Sequence, residues 1–362
     1  MTSRERIEFA LKHTEPDRTP IFDYILLSPV ADELLGHVYI DYAGDAQTDK
    51  WIDMAREIGW EKAVRRYATD RVMLAATLEH DMMYVCPCPP EAALWKNEKC
   101  KAQPTSNEAG PVERMQRRNT AASQLPVLSE DHFLVYAYIK EESRKSDVDL
   151  PVLAPAYYHG VWTDVDLMQT MLLEPEVAHV HFSLATDFAL MLIGRYIGAG
   201  VEMVGVGGDF AGNRPIISPK SYREFIVPEV RKLTDHLRLA GKYSVNASDG
   251  NLWNVIDDFL ITCGVDGFLE IDSNAGMDLS RLKADYGSTI TFFGNMDCGN
   301  TLSFGSPEEI RCQTLRCLES GRGNGGHVFC ASNAITGSVP TENYLAMVNA
   351  YRELFSLPMF LL

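Results

Sequence analysis

The sequence predicts an α/β fold, a (β/α)8 TIM barrel, on the strength of three observations. Short apolar runs alternate with segments of helical periodicity eight times along the 362 residues. Strands that are joined by helices pair in parallel, because a parallel crossover needs a dozen or more residues. Each apolar run ends in polar residues, as expected for barrel strands, whose carboxyl ends carry the active sites. A doubly wound open sheet is the alternative architecture.

The segment 203–251 shows this pattern most clearly. An apolar run ends in a polar turn, and Ser218 then serves as the N-cap of a helix with Pro219 at its first position. Apolar residues recur at helical spacing until Gly241, which ends the helix. A second apolar run follows at 243–245 and ends in another polar cluster. The segment is therefore a strand–helix–strand unit.

The remaining elements follow from the same signals. The predicted strands cover residues 21–25, 82–85, 151–155, 203–206, 243–245, 267–271, 290–295 and 327–330. The predicted helices cover residues 3–11, 47–58, 62–79, 164–173, 175–197, 219–240, 252–261, 279–285, 307–318 and 341–354. We expect residues 1–362 to form a single domain. Around residues 86–127 the apolar period is lost, which predicts an irregular excursion that forms hairpins or lies over the barrel mouth.

Composition excludes several classes of function. The net charge of −17 argues against nucleic acid and against anionic membrane surfaces. The N-terminus has no apolar run of the signal-peptide type, and we expect no membrane-spanning segment, so the predicted location is the cytoplasm. The eight cysteines lack the paired CxxC spacing of structural zinc sites and are interpreted as free thiols. Cys86-Pro87-Cys88 is interpreted as structural rather than redox-active or metal-binding.

Polar residues at the strand ends form the candidate site. Glu270 is the hardest to explain structurally, because it follows three apolar residues on a strand, where a buried carboxylate needs a partner or a task. Asp209 and His159 also follow strands, although each is equally compatible with a turn or loop role. Asp249 precedes Gly250 in a turn and helix-start signal, so we interpret it as structural rather than catalytic.

Several motifs resemble those of the uroporphyrinogen decarboxylase superfamily, which contains decarboxylases and corrinoid-linked methyltransferases. They are Thr2-Ser3-Arg4-Glu5-Arg6, Glu15-Pro16-Asp17-Arg18-Thr19-Pro20, Ile217-Ser218-Pro219 with Tyr222-Arg223, Gly294-Asn295-Met296-Asp297, Gly325-Gly326-His327-Val328 and Val339-Pro340-Thr341-Glu342-Asn343. The resemblance extends over nearly the whole chain and implies a (β/α)8 barrel, in agreement with the strand–helix pattern.

Departures from the family pattern favour one branch. Decarboxylases carry an arginine-rich segment after the first strand, whereas residues 23–29 contain no arginine, although arginine forks are what several carboxylates require. The thiol-alkylating methyltransferases hold zinc with a His-x-Cys pair and a later Cys. Asn246, Ser248 and Asn333 stand at those positions, with Cys330 three residues early. Amide and hydroxyl oxygens are poor zinc ligands, so we expect no metal there.

The resemblance then implies the O-demethylase methyltransferase branch. Such a protein moves a methyl group from a methoxylated, often aromatic, substrate to a corrinoid (cobalamin) carried by a small corrinoid-binding partner protein. Such a reaction needs a proton donor and an apolar slot with a few polar groups, and residues at the strand ends are the candidates. The candidate catalytic residues are Asp209, Glu270 and His159. The candidate substrate-binding residues are Asp23, Tyr157, Tyr158, Phe210, Arg214, Asn246, Ser248, Asn295 and Asn333.

Two other functions stay open at this point. One is a decarboxylase or lyase acting on a small acid or a tetrapyrrole. The other is a barrel without catalysis, which binds a ligand or escorts a corrinoid protein. The group of carboxylates at the mouth argues against the second, because an inert barrel has no need of them.

Overall fold

The structure, a computed structural model, confirms the barrel and describes residues 1–43, 47–95, 109–124 and 128–360. Parallel strands follow one another in sequence order around a single sheet, so that each strand pairs with the next in the chain. These strands are β1 (Met83–Tyr84), β2 (Val152–Tyr158), β3 (Met203–Gly207), β4 (Tyr243–Ala247), β5 (Gly267–Leu269), β6 (Thr291–Phe293) and β7 (His327–Val328).

The predicted first strand, 21–25, closes the barrel through bridges rather than through a continuous ladder. Ile21 forms a parallel bridge with Phe329, beyond the end of β7, and Leu26 forms one with Ile335. On the other side, the Asp81 N–H donates to the Ile21 carbonyl at 2.7 Å, just before β1. The segment thus fills the remaining strand position of the barrel, between β7 and β1, and is called the first strand position below. Sequential strand order and closure exclude the doubly wound sheet.

Helices form the outer layer around these strands. They are α1 (Ser3–Leu11), α2 (Val30–Leu35), α3 (Thr48–Ile58), α4 (Trp60–Leu78), α5 (Pro111–Ala122), α6 (Leu134–Lys145), α7 (Val165–Leu173), α8 (Pro175–Ala199), α9 (Pro219–Ser221), α10 (Val227–Leu239), α11 (Leu279–Tyr286), α12 (Thr301–Phe304), α13 (Pro307–Gly321) and α14 (Thr341–Leu354). A wider π-helical turn, Tyr222–Ile226, joins α9 to α10, and a second one, Asp258–Thr262, forms the last part of the helix predicted at 252–261.

The predicted irregular excursion, 86–127, is corrected in part. Its described residues include a 3₁₀ turn, Glu91–Trp95, and the three-turn helix α5, which packs against α7 and α8 on the side of the barrel. Only Met115 and Asn119 of α5 are buried, which explains why its apolar period is weak in the sequence. Residues 96–108 and 125–127 of the excursion lie outside the described residues.

One helix of the described chain, α8, is long and apolar enough to cross a membrane by length and composition alone. In the structure α8 packs against β2, α5, α7 and α10. Phe182, Ile193 and Tyr196 of this helix are fully buried. This packing accounts for part of its apolar composition.

Two groups of buried side chains fill the molecule, one between the sheet and the helices and one inside the barrel. Ile7, Ala10 and Leu11 of α1 close the amino-terminal end of the barrel from below. The other interior side chains come from successive strand positions: Phe22, Tyr24, Met82, Leu153, Met203, Val245, Leu269, Phe293, Val328 and Cys330. Apolar packing therefore fills the barrel up to its carboxyl end, where the polar residues begin.

Candidate active site

Three carboxylates meet at the carboxyl end of the barrel. One carboxylate oxygen from each of Asp209, Asp249 and Glu270 lies within 4.8 Å of the others. Asp249 arrives by simple strand alternation, because Val245 of β4 points into the barrel and residues an even number of positions further along face the same way. Asp209 follows Gly207 and Gly208, whose φ values of 144° and 128° interrupt the alternation after β3, and its carboxylate lies at the mouth.

Glu270 reaches the same place by a break in the alternation. Leu269 points into the barrel, so regular backbone would turn the next side chain outward. Glu270 and Ile271 instead adopt the left-handed region, with φ of 96° and 55°. Residues other than glycine rarely adopt this backbone conformation, and those that do are often found at functional sites. The break sends Glu270 to the mouth and Ile271 to the outer core.

Hydrogen bonds tie the carboxylates to Tyr24 and Asn333. The Asn333 Nδ2 donates to Asp249 Oδ2 at 2.8 Å, and the Tyr24 hydroxyl donates to Asn333 Oδ1 at 2.9 Å. The Tyr24 oxygen also lies 3.4 Å from Glu270 Oε1. The Asp249 N–H donates to Asp209 Oδ1 at 2.9 Å. Residues from five different strand positions are thereby held in one network.

Burial and mutual repulsion favour the neutral form of two of these carboxyl groups. Burial, with the charges of Asp249 and Asp209, raises the pKa of Glu270 well above its ordinary value. Burial, with the charges of Asp209 and Asp272, raises the pKa of Asp249 to about 7, although the bond from Asn333 opposes this. Close carboxylates can share a cation or a proton, and the desolvated position of Glu270 favours the proton.

Aromatic rings line both sides of the carboxylates. Below them, the Tyr24 and Tyr84 rings meet edge to face with their centroids 5.7 Å apart. On the rim, Tyr158 is 51% exposed and Trp162 is 43% exposed. Tyr158 lies near enough to Asp209 for the charge of that carboxylate to raise the tyrosine pKa, behind the larger effect of burial. The mouth thus combines an apolar wall with a carboxyl group whose neutral form is favoured, and this combination suits a small aromatic ligand.

Comparison with known proteins identifies the family of this barrel. The uroporphyrinogen decarboxylase (URO-D) family model matches residues 160–354, which is more than half of the chain. The chain belongs to the URO-D family. This chain is 28% identical over 187 residues to the uroporphyrinogen decarboxylase of Psychromonas ingrahamii, and the alignment covers 50% of this chain and 49% of that protein. It is also 28% identical over 186 residues to the enzyme of Pseudoalteromonas translucida, with the same coverage.

The chain therefore spans about half the length of the curated relatives it matches. A solved structure described as a methyltransferase from Methanosarcina mazei superposes with a TM-score of 0.69 at 17% identity, covering 98% of this chain and 99% of that one. At this identity the likeness concerns the fold.

Several residues that the sequence assigned to the site of this URO-D family member point away from the mouth. His159 is buried beside Phe210, and burial lowers its pKa to about 4, so it is a neutral side chain in the outer layer. Tyr157 and Phe210 belong to the core between sheet and helices. Asn246 donates to the Phe259 carbonyl on that side of the sheet. Asn246 follows the inward Val245, and Phe210 follows Asp209. Tyr157 and His159 come after the register shift of β2 between Pro155 and Tyr157, which changes the face that later residues occupy.

Asp23 also lies outside the barrel interior. It accepts hydrogen bonds from the Tyr344 hydroxyl of α14 at 2.7 Å and from the Ala331 N–H at 3.0 Å. Burial raises its pKa to about 6. Its two neighbours in the chain, Phe22 and Tyr24, are the ones that point inward. Asp23 therefore ties the first strand position to β7 and α14, at a distance from the carboxylate cluster.

The other predicted residues divide between the rim and the helical layer. Ser248 is fully buried and donates to the Asp249 carbonyl at 2.9 Å, which supports the turn that carries this carboxylate. Asn295 donates to the Ile271 carbonyl. Arg214 is exposed on the loop after β3, where the Gly212 N–H donates to its carbonyl. The site keeps Asp209, Glu270 and Asn333 from the predicted set, with Tyr158 on its rim.

The residues at the zinc positions of related methyltransferases are engaged elsewhere. Asn246 faces the outer layer, the Ser248 hydroxyl is bonded to a carbonyl, and both ends of the Asn333 amide have partners. An amide or hydroxyl oxygen in these roles does not fit zinc. These three residues therefore do not form a zinc site in this chain.

Sequence reasoning missed three contributors to this site. Asp249 was assigned to a turn, although its spacing from Val245 predicts an inward direction. Tyr24 lies inward on the first strand position for the same reason. Arg71 comes from α4, and its buried guanidinium donates to the carbonyls of Tyr24 at 3.2 Å and Tyr84 at 2.8 Å. Nothing in the spacing of Arg71 shows that it passes between two strand ends.

Proposed function

We propose that this protein transfers a methyl group from a neutral methoxylated aromatic compound to a corrinoid carried by a separate small protein. The observation that carries the proposal is the position of Glu270, whose carboxyl lies 3.4 Å from the Tyr24 hydroxyl oxygen at an aromatic-lined mouth, where burial and neighbouring charges raise its pKa well above its ordinary value. A reaction that expels a phenolate needs such a proton donor. The corrinoid would supply the reduced cobalt nucleophile.

The protein residues would act on the leaving group. The bond between the methyl carbon and the ether oxygen breaks, and its electron pair goes to that oxygen as the methyl group leaves. Glu270 gives its proton to the oxygen and becomes a carboxylate, which later regains a proton from solvent. The Tyr24 and Tyr84 rings would hold the arene, and the exposed Tyr158 and Trp162 would leave the mouth open to a partner protein.

Replacing Glu270 by glutamine tests this role. The variant keeps the shape and a hydrogen-bond donor but loses the transferable proton, so demethylation should fall by about 10²–10⁴-fold for ethers of weakly acidic phenols. For ethers of more acidic phenols the demethylation rate should fall less, because their phenolates can leave without being protonated. The measurements are release of the phenol by chromatography and methylation of free cob(I)alamin by absorbance. Glu319→Gln, exposed on α13, is the control and should retain full activity.

An equal loss for every leaving group would make Glu270 a binding residue only. If wild-type protein demethylates no methoxyarene, the proposed reaction is wrong.

Decarboxylation is the second candidate, because the curated relatives are uroporphyrinogen decarboxylases. The mouth presents three carboxylates, and the guanidinium of Arg71 is engaged by two carbonyls. A polycarboxylate would be repelled there, since binding several carboxylates requires free cationic forks. Stoichiometric release of labelled carbon dioxide from uroporphyrinogen, without added corrinoid, would favour the decarboxylase instead.

A further inference from the structure

We propose that Asn333 fixes the direction of a hydrogen-bonded chain running from Asp249 through Tyr24 to Glu270, and so keeps the transferable proton on Glu270. Asn333 is then a positioning residue, because it acts on the reacting group through Tyr24. The catalytic meaning of this inference rests on the proposed function. The direction of the chain itself can be tested without turnover.

The orientation of the Asn333 amide is set by two groups with fixed roles. The Ala334 N–H, which can only donate, lies 2.7 Å from Asn333 Oδ1. Asp249 Oδ2, which only accepts when ionised, lies 2.8 Å from Asn333 Nδ2. A flipped amide would set donor against donor at one end and acceptor against acceptor at the other. The oxygen of Asn333 must therefore face Tyr24.

This orientation leaves Tyr24 a single arrangement. The phenol has one hydrogen, and Asn333 Oδ1 takes it at 2.9 Å. The oxygen of Tyr24 then turns a lone pair toward Glu270 Oε1, 3.4 Å away. A protonated Glu270 can donate to that lone pair, whereas an ionised Glu270 would meet it as a second acceptor. The chain therefore favours the neutral form of Glu270.

The surroundings of Glu270 agree with this direction. The titratable groups that act on it are Tyr24, Asp209, Asp249 and Asp272, and its own charge acts on Cys330. The charges of the three aspartates oppose a charge on Glu270, whereas a hydrogen bond donated by Tyr24 would favour that charge. Its Oε2 is buried without a hydrogen-bond partner among the described residues, which an ionised carboxylate tolerates poorly.

Asn333 thus acts on the two carboxyl groups in opposite directions. Its donated hydrogen bond stabilises the charge on Asp249, and its accepted hydrogen bond withholds the Tyr24 hydrogen from Glu270. Environments that separate the pKa values of two neighbouring carboxyl groups define which is the acid and which is the ion. With the amide removed, Tyr24 can donate to Glu270, and the charge on Glu270 becomes easier to form.

The test is an infrared pH titration of Asn333→Ala. A buried neutral carboxyl group gives its own carbonyl stretching band, assigned to Glu270 by its loss in Glu270→Gln. We expect the midpoint of that band in Asn333→Ala to fall by about one pH unit, the worth of one hydrogen bond. Asn349→Ala removes another bonded amide, which donates to the Phe360 carbonyl far from the mouth, and should leave the midpoint unchanged.

A second background shows whether Tyr24 carries the effect. In Tyr24→Phe the phenol is absent, so adding Asn333→Ala should shift the Glu270 midpoint much less than it does in wild type. If Asn333→Ala does not fold, Asn333→Ser takes its place, because serine removes the fixed amide and keeps a small polar side chain. Circular dichroism of each variant establishes that it is folded before titration.

The outcomes separate this inference from the proposed function. An unchanged midpoint, or an equal shift with and without the Tyr24 hydroxyl, would overturn the role of Asn333 whatever the protein catalyses. A lowered midpoint in a protein that demethylates nothing would support the hydrogen-bonded chain and refute the reaction. Where methyl transfer is observed, the alkaline limb of its pH profile should move down by the same amount in Asn333→Ala.

Discussion

The ionisation of Asp249 opposes folding, because it places a charge beside two other carboxyl groups in a partly buried position. The folded state raises its pKa to about 7 through burial and the charges of Asp209 and Asp272. In the unfolded chain an aspartate titrates near 4. Between these two values the folded state binds more protons than the unfolded state. Stability is therefore lost as the pH rises through this window.

Asp249→Asn should remove this pH dependence. Asparagine keeps an oxygen that accepts the Asn333 hydrogen bond, but it carries no charge at any pH. At pH 8 the variant should be more stable than wild type by about 1 kcal/mol, or about 2 °C in melting temperature. At pH 4 the two proteins should melt alike. The measurement is thermal unfolding followed by circular dichroism from pH 4 to pH 8.

Asp235→Asn is the matched control for that experiment. Asp235 is an exposed carboxylate on α10 whose pKa is lowered, chiefly by the side-chain hydrogen bond from Arg231. Its replacement should give no gain in stability at pH 8. A wild-type melting temperature that does not fall between pH 4 and pH 8, with no gain in Asp249→Asn, would contradict a raised pKa at Asp249.

At the residue scale, the sequence identifies the chemistry of the mouth better than the direction of each side chain. Asp209 was assigned by its place after a strand, and its carboxylate does lie in the cluster at the mouth. Alternation along β4 directs Asn246 outward, as a count from Val245 would have shown. Glu270 could not be derived by counting, because its inward direction depends on left-handed backbone at two residues that are not glycine.

At the element scale, local signals locate the helices well. Ser218 caps the helix that begins at Pro219, as the sequence predicts. Thr2 and Ser306 form capping boxes with Glu5 and Glu309 at the starts of α1 and α13. The first strand position was harder. Its backbone is held by bridges to residues more than 300 positions away, so its regularity depends on tertiary contacts and not on its own apolar period.

The end of β3 gives a prediction about packing. Gly207 has a φ of 144°, and a Cβ there would lie 1.9 Å from Asn246 Oδ1 and 3.2 Å from the Ala247 carbonyl oxygen. Strain and overlap combine, so Gly207→Ala should lower the melting temperature by about 4 °C or more, equivalent to at least about 2 kcal/mol. Thermal unfolding of the purified variant measures the loss.

Two further variants separate overlap from backbone strain. Gly160 has a φ of 76°, and nothing lies within 4 Å of its Cβ position, so Gly160→Ala should show the smaller loss due to backbone strain alone. Adding Asn246→Ala to Gly207→Ala removes the closest overlapping atom and should recover part of the stability. Equal losses at Gly207 and Gly160, with no recovery in the double variant, would mean that the Asn246 side chain does not occupy this space.

At the scale of the whole molecule, charge limits which ligands can approach the site. The chain has a net charge of −17, and three of its carboxyl groups converge at the mouth. Burial favours the neutral form of Glu270, but Asp249 is still partly ionised near neutral pH. The resulting negative potential favours neutral or cationic ligands over anionic ones. This is the physical reason for proposing a neutral methyl donor.

The discrimination against anionic donors can be measured with a matched pair of compounds. We expect 4-hydroxy-3-methoxybenzoate to show a KM about 10-fold higher than its uncharged primary amide, which is equivalent to about 1.4 kcal/mol of repulsion. The two compounds have the same shape and similar leaving groups, so the difference should appear in KM rather than in kcat.

Two controls test whether charge causes this difference in KM. Raising the ionic strength from about 0.01 M to about 0.1 M shortens the screening length from about 30 Å to about 10 Å and should reduce the difference in KM. Asp209→Asn removes one mouth carboxylate and should narrow it further. If the benzoate instead binds more tightly than the amide, a cation must act at the mouth, and Arg214 on the loop after β3 would be the first residue to replace.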